Sequence, residues 1–327
     1  MVMLPHARAD GLGLCGPRVV HRVAAVRPHL EATQRVKDAV GYLGYRLFSG
    51  LFGLLPEPVM RRVGYGLGWL GSFIARDRFA MAMRHQRRIQ PDGSDARRAA
   101  RRAFGFYGRY WAETFWVRPR RRDGILRRAH IHGIEHLYAA LASGRGVVVA
   151  LPHIGNWEVA GLRAAAEDAR VLAVAEDLGN QRIVDWFVDQ RNMMEIDIVI
   201  ARKGSHVTRQ LLTRLKDGGI VALLCDRDIT GGGIEVEFFG EQTTLPAGPA
   251  SLADKTGAVL LAAATYFGEG SQYAFQVEPP LEVALGETAT ERVKTTTQTI
   301  AEALEKLIRR HPEQWHLVQP NWPSDRS

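Results

Sequence analysis

Cysteine is scarce in this chain, with only Cys15 and Cys225 among 327 residues. A disulfide framework and a tetrahedral thiolate metal site both need more cysteines than that. Long apolar runs are missing as well: the longest uncharged runs near the N-terminus, 63–75 and 47–56, are shorter than the roughly 20 residues of a membrane-spanning helix. Residues 1–30 carry four arginines and no continuous apolar stretch, so no signal peptide is expected. We therefore expect a cytoplasmic protein, attached at most peripherally to a membrane.

Several common sites are missing too. No G-x-S-x-G, C-x-x-C or H-E-x-x-H pattern occurs. Gly11 and Gly13 have no third glycine in register and follow no strand pattern, so they do not form a dinucleotide-binding fingerprint. The glycines at 231–233 are not followed by the Gly-Lys-Ser/Thr of a phosphate-binding loop. We therefore expect neither a bound metal ion nor a cofactor.

Charge is distributed unevenly along the chain. Residues 1–130 hold 25 Lys/Arg and 9 Asp/Glu, a net charge of +16, whereas residues 131–327 hold 18 and 26, a net charge of −8. A basic part joined to an acidic part indicates a polyanionic partner, either a nucleic acid or an anionic membrane. Hydrophobic residues make up 46% of the chain, which is typical of a globular protein with a sizeable core.

The sequence pattern divides the chain into three stretches. Residues 1–36 contain scattered proline and glycine and little periodicity, which predicts a poorly ordered N-terminal extension. Residues 37–327 are expected to form a single domain. Within it, 37–130 is a basic helical part and 131–327 is an α/β part.

Two helices rich in glycine and aromatic residues are predicted at the start of the basic part. Their apolar residues follow helical spacing, in one helix up to Pro56 and in the next from Pro58 to about Ala75. Because glycine lowers helix propensity, these helices need outside support. That support is either burial against the rest of the domain or insertion of an apolar face into the surface of a membrane.

Arginines are frequent between Arg84 and Arg128, and aromatic residues lie among them from Phe104 to Trp116. Basic residues interleaved with aromatic residues describe a nucleic-acid-binding module. They also describe a solvated helix face beside an aromatic stripe that packs into the core. A nucleic-acid module leaves unexplained the polar residues at the strand ends described below, so no nucleic-acid partner is expected.

The pattern becomes α/β after about residue 130. Short apolar runs rich in valine and isoleucine, typical of strands buried on both faces, lie at 146–151, 171–175, 196–200, 220–224 and 258–263. Helical patterns lie between them, at 158–168, 180–194 and 204–216. The alternation predicts an α/β fold with a mostly parallel or mixed central sheet flanked by helices. Sites in such folds usually form at the carboxyl ends of the strands.

His153 follows the first of these apolar runs. Asn156 is suited to cap the next helix, and Glu158 lies in its first turn. A carboxylate close to the imidazole would fix its tautomer and raise its basicity, as a general base requires, and a turn could bring Glu158 within reach. The plainer interpretation is a histidine bonded to local backbone and a glutamate that favours the helix N-terminus.

Asp226, Arg227 and Asp228 follow another apolar run. Carboxylates at the end of a buried strand are costly unless they are paired. One interpretation is an internal ion pair with Arg227. The other is that Asp226 or Asp228 orients His153, as the acidic member of a catalytic triad does.

The heptapeptide 152–158, Pro-His-Ile-Gly-Asn-Trp-Glu, resembles the His-x-x-x-x-Asp/Glu box of the lipid A late acyltransferase superfamily. The chain looks most like the phosphatidylinositol mannoside acyltransferases of actinobacteria. The resemblance covers about residues 37–322, and further matching stretches lie at 174–176, 187–191, 226–228, 235–241, 245–250 and 312–319.

The resemblance implies a glycerolipid-acyltransferase-like fold with an N-terminal helical membrane-docking region. The implied reaction moves a fatty acyl group from a thioester donor, acyl-CoA or acyl carrier protein, to a sugar hydroxyl of a membrane glycolipid. The implied acceptor is a phosphatidylinositol mannoside, and the implied location is the cytoplasmic face of the plasma membrane, with the anionic lipid surface as a partner.

The resemblance also implies roles for individual residues. His153 is the general base, Asp226 its carboxylate partner, and Glu158 supports the local geometry. Glu176 and Arg191 match positions that contact the acceptor headgroup. The predicted substrate-binding set is completed by three further residues: Arg202, Arg227 and Asp228.

The chain departs in two places from the pattern of the phosphatidylinositol mannoside acyltransferases (the mannoside branch), and each departure leaves an alternative open. That branch has Asp at the end of the box and Glu before Arg-Asp, whereas this chain has Glu158 and Asp226 in those places, so either carboxylate could contact His153. Arg202 and Lys203 resemble a basic pair of the lipid A branch. A lipid A-type or other glycolipid acceptor is therefore the alternative.

Overall fold

A computed structural model describes residues 27–90, 95–177, 179–202, 204–229 and 231–326, with side chains described from residue 36. The predicted extension at 1–36 lies outside the described residues as far as residue 26. The first helix begins at Arg27, inside that stretch.

The described chain starts with helices and continues as an α/β unit. The helical part comprises α1 (Arg27–Leu54), α2 (Glu57–Ile74), α3 (Arg76–Ile89), α4 (Ala96–Trp116) and α5 (Arg122–Leu126). The α/β part runs β1 (Ala129–His132), α6 (Ile134–Ala142), β2 (Val147–Leu151), α7 (Trp157–Ala165), β3 (Val171–Glu176), α8 (Gln181–Asn192), β4 (Asp197–Ala201), α9 (Val207–Lys216), β5 (Ile220–Leu224), β6 (Ile234–Phe238), β7 (Glu241–Leu245), α10 (Gly248–Thr256), β8 (Val259–Phe267), β9 (Tyr273–Val277) and α11 (Ala289–Arg310).

Seven strands form the central sheet in the order β1-β9-β8-β2-β5-β3-β4. Strands β8, β2, β5, β3 and β4 run parallel, and β9, with β1 parallel beside it, runs antiparallel to β8. Strands β6 and β7 form a separate antiparallel hairpin. The predicted α/β fold with a mostly parallel sheet is confirmed.

Both faces of the sheet are covered, which explains the continuous apolar runs. On one face, Val148 and Ala150 of β2 belong to a core that includes residues of α9, α10 and α11. On the other face, Val147 packs in a cluster with Leu137 of α6, and Val149 lies against the same cluster. Side chains alternate along β2 between these two cores, so neither face of the strand is free for polar residues.

The register of β2 and β5 fixes the position of the predicted site. Leu151 at the end of β2 pairs with Leu224 at the end of β5. His153 and Asp226 each lie two residues beyond this pair. Because the strands are parallel neighbours, the two side chains leave the same edge of the sheet side by side.

Glycines in α2 and α4 allow these two helices to pack closely. An ideal Cβ on Gly68 would lie 2.1 Å from the carbonyl oxygen of Phe104, and one on Gly108 would lie 2.3 Å from that of Gly64. No atom of the described structure lies within 4 Å of the corresponding position on Gly66. The support that the glycine-rich helices need is therefore partly helix–helix contact.

Helix α1 is buried on one side and exposed on the other. Tyr45 packs edge-on against Phe115 of α4 and Phe187 of α8, at centroid distances of 5.6 and 5.7 Å. Leu43 and Leu47, on the same helix, are 68% and 59% exposed. In the described part of the chain, every helix is too short or too polar to cross a membrane.

Candidate active site

His153 and Asp226 form a tightly coupled pair at the edge of the sheet. His153 Nδ1 lies 2.5 Å from Asp226 Oδ1, and the backbone N–H of His153 donates to Asp226 Oδ2 at 2.9 Å. Since a carboxylate can only accept, the hydrogen-bond network assigns the ring proton to Nδ1. The lone pair of Nε2 is then available to accept a proton from a substrate.

Asp226 is fully buried and nevertheless remains ionised. Burial by itself raises the pKa of this carboxyl group. The charge of His153 and the hydrogen bonds from His153 and Trp315 outweigh that effect, so the pKa lies below the usual range of aspartate. A permanently ionised Asp226 can orient His153 and stabilise the imidazolium that forms when Nε2 takes up a proton.

Glu158 lies apart from this pair, in the first turn of α7. Its carboxylate accepts from Arg191 Nη2 at 2.5 Å and Nε at 3.0 Å, and from the Tyr110 hydroxyl at 3.4 Å. Of the two carboxylates that the sequence left open, Asp226 is therefore the partner of His153. Glu158 and Arg191 instead tie α7 to α8, and Asn156 caps α7 as predicted by accepting from Val159 N.

The predicted acceptor-binding residues lie in different surroundings. Glu176 is exposed at the end of β3. Arg202 is exposed just beyond β4 and pairs with Asp177, with Nε 2.7 Å from Oδ2. Arg191 is held in the ion pair with Glu158. The predicted contacts of these residues with a headgroup stay predictions.

The two charged residues after Asp226 have different surroundings. Arg227 is partly buried. Asp228 accepts from the backbone N–H groups of Gly231 and Gly233 at 2.9 and 2.8 Å, and from the Thr244 hydroxyl. Asp228 therefore stabilises the turn that leads into the β6–β7 hairpin.

A cavity of about 970 Å³ opens at His153. Its lining is mostly apolar, and it includes residues from both ends of β3, Val171 and Glu176, and from both ends of β5, Ile220 and Leu224. At about 3.3 Å per residue, the cavity thus follows β3 for roughly 16 Å and β5 for roughly 13 Å. An apolar space of this length beside the His153 imidazole suits a substrate with a long hydrocarbon chain.

Comparison with known proteins agrees with this geometry. A model of the bacterial lipid A biosynthesis acyltransferase family matches residues 27–324. The chain belongs to this family. It is 38% identical over 224 residues to a phosphatidylinositol mannoside acyltransferase of Mycobacterium tuberculosis, covering 68% of this chain and 69% of the relative.

Two further relatives are less similar in sequence to this chain. A phosphatidylinositol mannoside acyltransferase of Mycolicibacterium smegmatis is 35% identical over 228 residues, covering 69% of this chain and 73% of the relative. The lipid A biosynthesis lauroyltransferase of Escherichia coli is 26% identical over 273 residues, covering 80% and 84%. The resemblance expected from the sequence motifs is confirmed, and the chain is an acyltransferase.

The sequence pattern did not reveal every residue of the candidate site. Trp315 Nε1 donates to Asp226 Oδ2 at 2.7 Å. The tail at 312–319 matched the family, but nothing in its pattern indicated that this indole reaches a strand end 89 positions earlier. Only the tertiary structure reveals such a contact.

A buried polar cluster behind the site was missed as well. Glu113 of α4 is fully buried, accepts hydrogen bonds from Arg109, Asn156 and the Tyr273 hydroxyl, and forms an ion pair with Arg61. The cluster links α2 and α4 to the residue that caps α7. Two arginines of the basic part are therefore used inside the protein.

Proposed function

We propose that this acyltransferase moves a fatty acyl group from a thioester donor to a sugar hydroxyl of a phosphatidylinositol mannoside. The observation that carries the proposal is the His153–Asp226 pair at the mouth of a long apolar cavity. The names of the mycobacterial relatives support the choice of acceptor.

In the proposed reaction, His153 acts as general base. Its Nε2 takes the proton of the acceptor hydroxyl while the hydroxyl oxygen attacks the thioester carbonyl. The tetrahedral intermediate collapses, the carbon–sulfur bond breaks, and the imidazolium returns the proton to the leaving thiolate. The products are a sugar ester and a free thiol. Asp226 stays ionised throughout and stabilises the imidazolium.

The cavity is proposed to bind the acyl chain. Removal of apolar surface from water stabilises a bound chain by about 0.8 kcal/mol for each buried methylene group. Glu176, exposed at the cavity, is proposed to accept hydrogen bonds from sugar hydroxyls of the acceptor, and Arg202 and Arg227 are proposed to bind its phosphate-bearing part. Arg191 and Asp228 contribute by holding α8 and the hairpin turn in place.

The helices α1 and α2 are proposed to hold the enzyme on the cytoplasmic face of the plasma membrane. Among the described residues, all but four of the exposed large hydrophobic side chains belong to these two helices. Exposed basic residues accompany them, including Arg46, Arg62 and Arg76. Apolar side chains beside basic ones suit the surface of an anionic bilayer.

The proposal is tested by following product formation with purified enzyme. His153→Ala should abolish transfer from a palmitoyl thioester to a mannosylated phosphatidylinositol, measured by mass spectrometry, because no base remains to accept the hydroxyl proton. His132→Ala, an exposed histidine on β1, is the matched control and should retain activity. Full activity of His153→Ala would rule out the mechanism.

A lipid A-type acceptor is the second candidate. The similarity to the lauroyltransferase of Escherichia coli extends over 80% of this chain and favours it. Parallel assays with a mannosylated phosphatidylinositol and a lipid A precursor, each with acyl-CoA and acyl carrier protein donors, distinguish the candidates. Product from only the lipid A precursor would contradict the proposed acceptor.

A further inference from the structure

The segment 314–316 holds the loop that carries His153. The backbone N–H of His316 donates to the carbonyl oxygen of His153 at 2.8 Å, and that of Gly155 donates to the carbonyl oxygen of Gln314 at 3.3 Å. His316 Nε2 lies 2.9 Å from the carbonyl oxygen of Gly155. These hydrogen bonds form a short antiparallel bridge between the His153 loop and the C-terminal part of the chain, and they hold the loop in place.

The same segment holds the partner of His153. Trp315 lies between Gln314 and His316 in the sequence. Its indole N–H donates to Asp226 Oδ2 at 2.7 Å. Trp315 is 1% exposed. One tripeptide thus contacts the histidine through its backbone and the aspartate through its side chain.

The tripeptide is itself firmly anchored. The Gln314 side chain exchanges two hydrogen bonds with the backbone of Phe267, at the end of β8. A donor held this rigidly can fix the direction of the group that it binds.

We propose that Trp315 is a positioning residue of the acyl transfer, which locks the Asp226 carboxylate in the orientation that presents the His153 ring to the substrate. The inference deepens the function proposed above and rests on its assignment of His153 as the base. Trp315 does not touch the reacting atoms in this role. It acts through Asp226.

Tryptophan is chemically suited to this position. Its indole N–H can donate but cannot accept, so it favours the ionised carboxylate, which is the stronger acceptor. With Trp315 and the His153 backbone on Oδ2, and the His153 ring on Oδ1, the carboxylate is bonded on both oxygens. Hydrogen bonds to charged groups are worth about 1.5–3 kcal/mol, enough to control the orientation of one side chain.

Trp315→Phe tests the proposal, with Trp322→Phe as the matched control. Both indoles are fully buried among the same rings, and each variant loses one indole hydrogen bond, but Trp322 bonds a backbone carbonyl instead of Asp226. Trp315→Phe should lower kcat by about tenfold or more and leave KM nearly unchanged, as expected for loss of one hydrogen bond to a charged group. Trp322→Phe should keep kcat within about twofold of the unsubstituted enzyme, although its melting temperature falls.

The pH profile gives a readout that a general loss of stability would not move. Without the indole donor, negative charge concentrates on the carboxylate and attracts the imidazolium more strongly, so the pair holds its proton to higher pH. The acid limb of kcat/KM should therefore move to higher pH by about one unit in Trp315→Phe only. Two other titratable groups lie near Asp226: burial raises the pKa of the Cys225 thiol and lowers the pKa of His316 to about 4.

A third measurement needs no substrate. The proton between His153 Nδ1 and Asp226 should give a strongly deshielded ¹H NMR signal, assigned by its loss in His153→Gln. It should shift or broaden in Trp315→Phe and stay in place in Trp322→Phe. If Trp315→Phe does not fold, β-(3-benzothienyl)alanine at position 315 keeps the ring shape and places sulfur where the N–H was.

The outcomes separate the inference from the function that it rests on. If His153→Gln remains active, the proposed base is wrong regardless of Trp315. If His153→Gln is inactive but Trp315→Phe matches Trp322→Phe in kcat, acid limb and NMR signal, the positioning role is overturned. A selective effect of Trp315→Phe on all three supports it.

Discussion

At the residue scale, the chemistry depends on which of two similar carboxylates faces the histidine. From the sequence alone, either Glu158 or Asp226 could be the carboxylate that contacts His153. The structure chooses because β2 and β5 are parallel neighbours in register, so residues two positions past each end meet. Glu158, one helical turn further on, instead meets Arg191 from α8.

His316 makes the free energy of unfolding of the protein depend on pH in the acid range. Burial lowers the pKa of His316 to about 4, despite its hydrogen bond to Gly155. The unfolded chain, with a histidine pKa near 6.5, therefore takes up a proton more readily than the folded one. The stability is fully present above pH 6.5 and is lost as the pH falls from there towards 4, by about 2 kcal/mol between pH 7.5 and pH 5.

Urea unfolding at a series of pH values measures this effect. In His316→Gln the stability lost between pH 7.5 and pH 5 should be smaller by about 2 kcal/mol than in the unsubstituted protein. Groups remote from His316 contribute equally to both curves, so the difference between the curves reports protonation at the His316 site. Parallel curves for the two proteins would contradict a buried neutral histidine.

At the element scale, much of the α/β part follows from the sequence. β2, β3, β4, β5 and β8 were predicted, because strands covered on both faces must be continuously apolar. The edge strand β1, Ala-His-Ile-His, carries no such run and was missed. The β6–β7 hairpin was missed as well: β6 alternates charged and apolar residues, and its Phe238 packs on Trp322 inside the core.

The glycines of α2 provide a test at this scale. Gly68→Ala should destabilise the fold by about 1–3 kcal/mol, because its Cβ would collide with the backbone of α4. Gly66→Ala lies two residues away on the same helix with open space around it. It should be neutral or stabilise the protein by up to about 1 kcal/mol through helix propensity. Thermal unfolding measures both, and equal effects would show that α2 and α4 are not in close contact.

At the scale of the whole molecule, the charge asymmetry has an internal component. Arginines of the basic part form ion pairs with carboxylates of the acidic part, among them Arg88 with Glu241 and Arg102 with Glu313. The two parts therefore complement each other across their contact. The charges available to a membrane are the exposed ones that remain, such as Arg46 and Arg62 on the helices with the exposed leucines.

Vesicle sedimentation tests the proposed docking of these helices. Leu47 and Leu51 are one helical turn apart on α1 and are 59% and 53% exposed. The double variant Leu47→Glu/Leu51→Glu should weaken binding to phosphatidylglycerol vesicles by at least tenfold, because two apolar side chains are lost from the lipid surface and two negative charges are added. Leu285→Glu, at a 97% exposed leucine before α11, is the matched control and should bind as the unsubstituted protein does.

The same experiment separates the apolar and electrostatic contributions. Binding to neutral vesicles should be weaker than to anionic ones, and added salt should reduce the difference, since exposed charges are screened over about 8–10 Å. The double variant should retain acyl transfer to a detergent-solubilised acceptor, because none of the α1 side chains that the structure describes, from residue 36 on, lines the cavity at His153. If the double variant sediments with anionic vesicles as well as Leu285→Glu does, the exposed face of α1 does not bind the membrane, and the basic residues alone would have to account for any binding that remains.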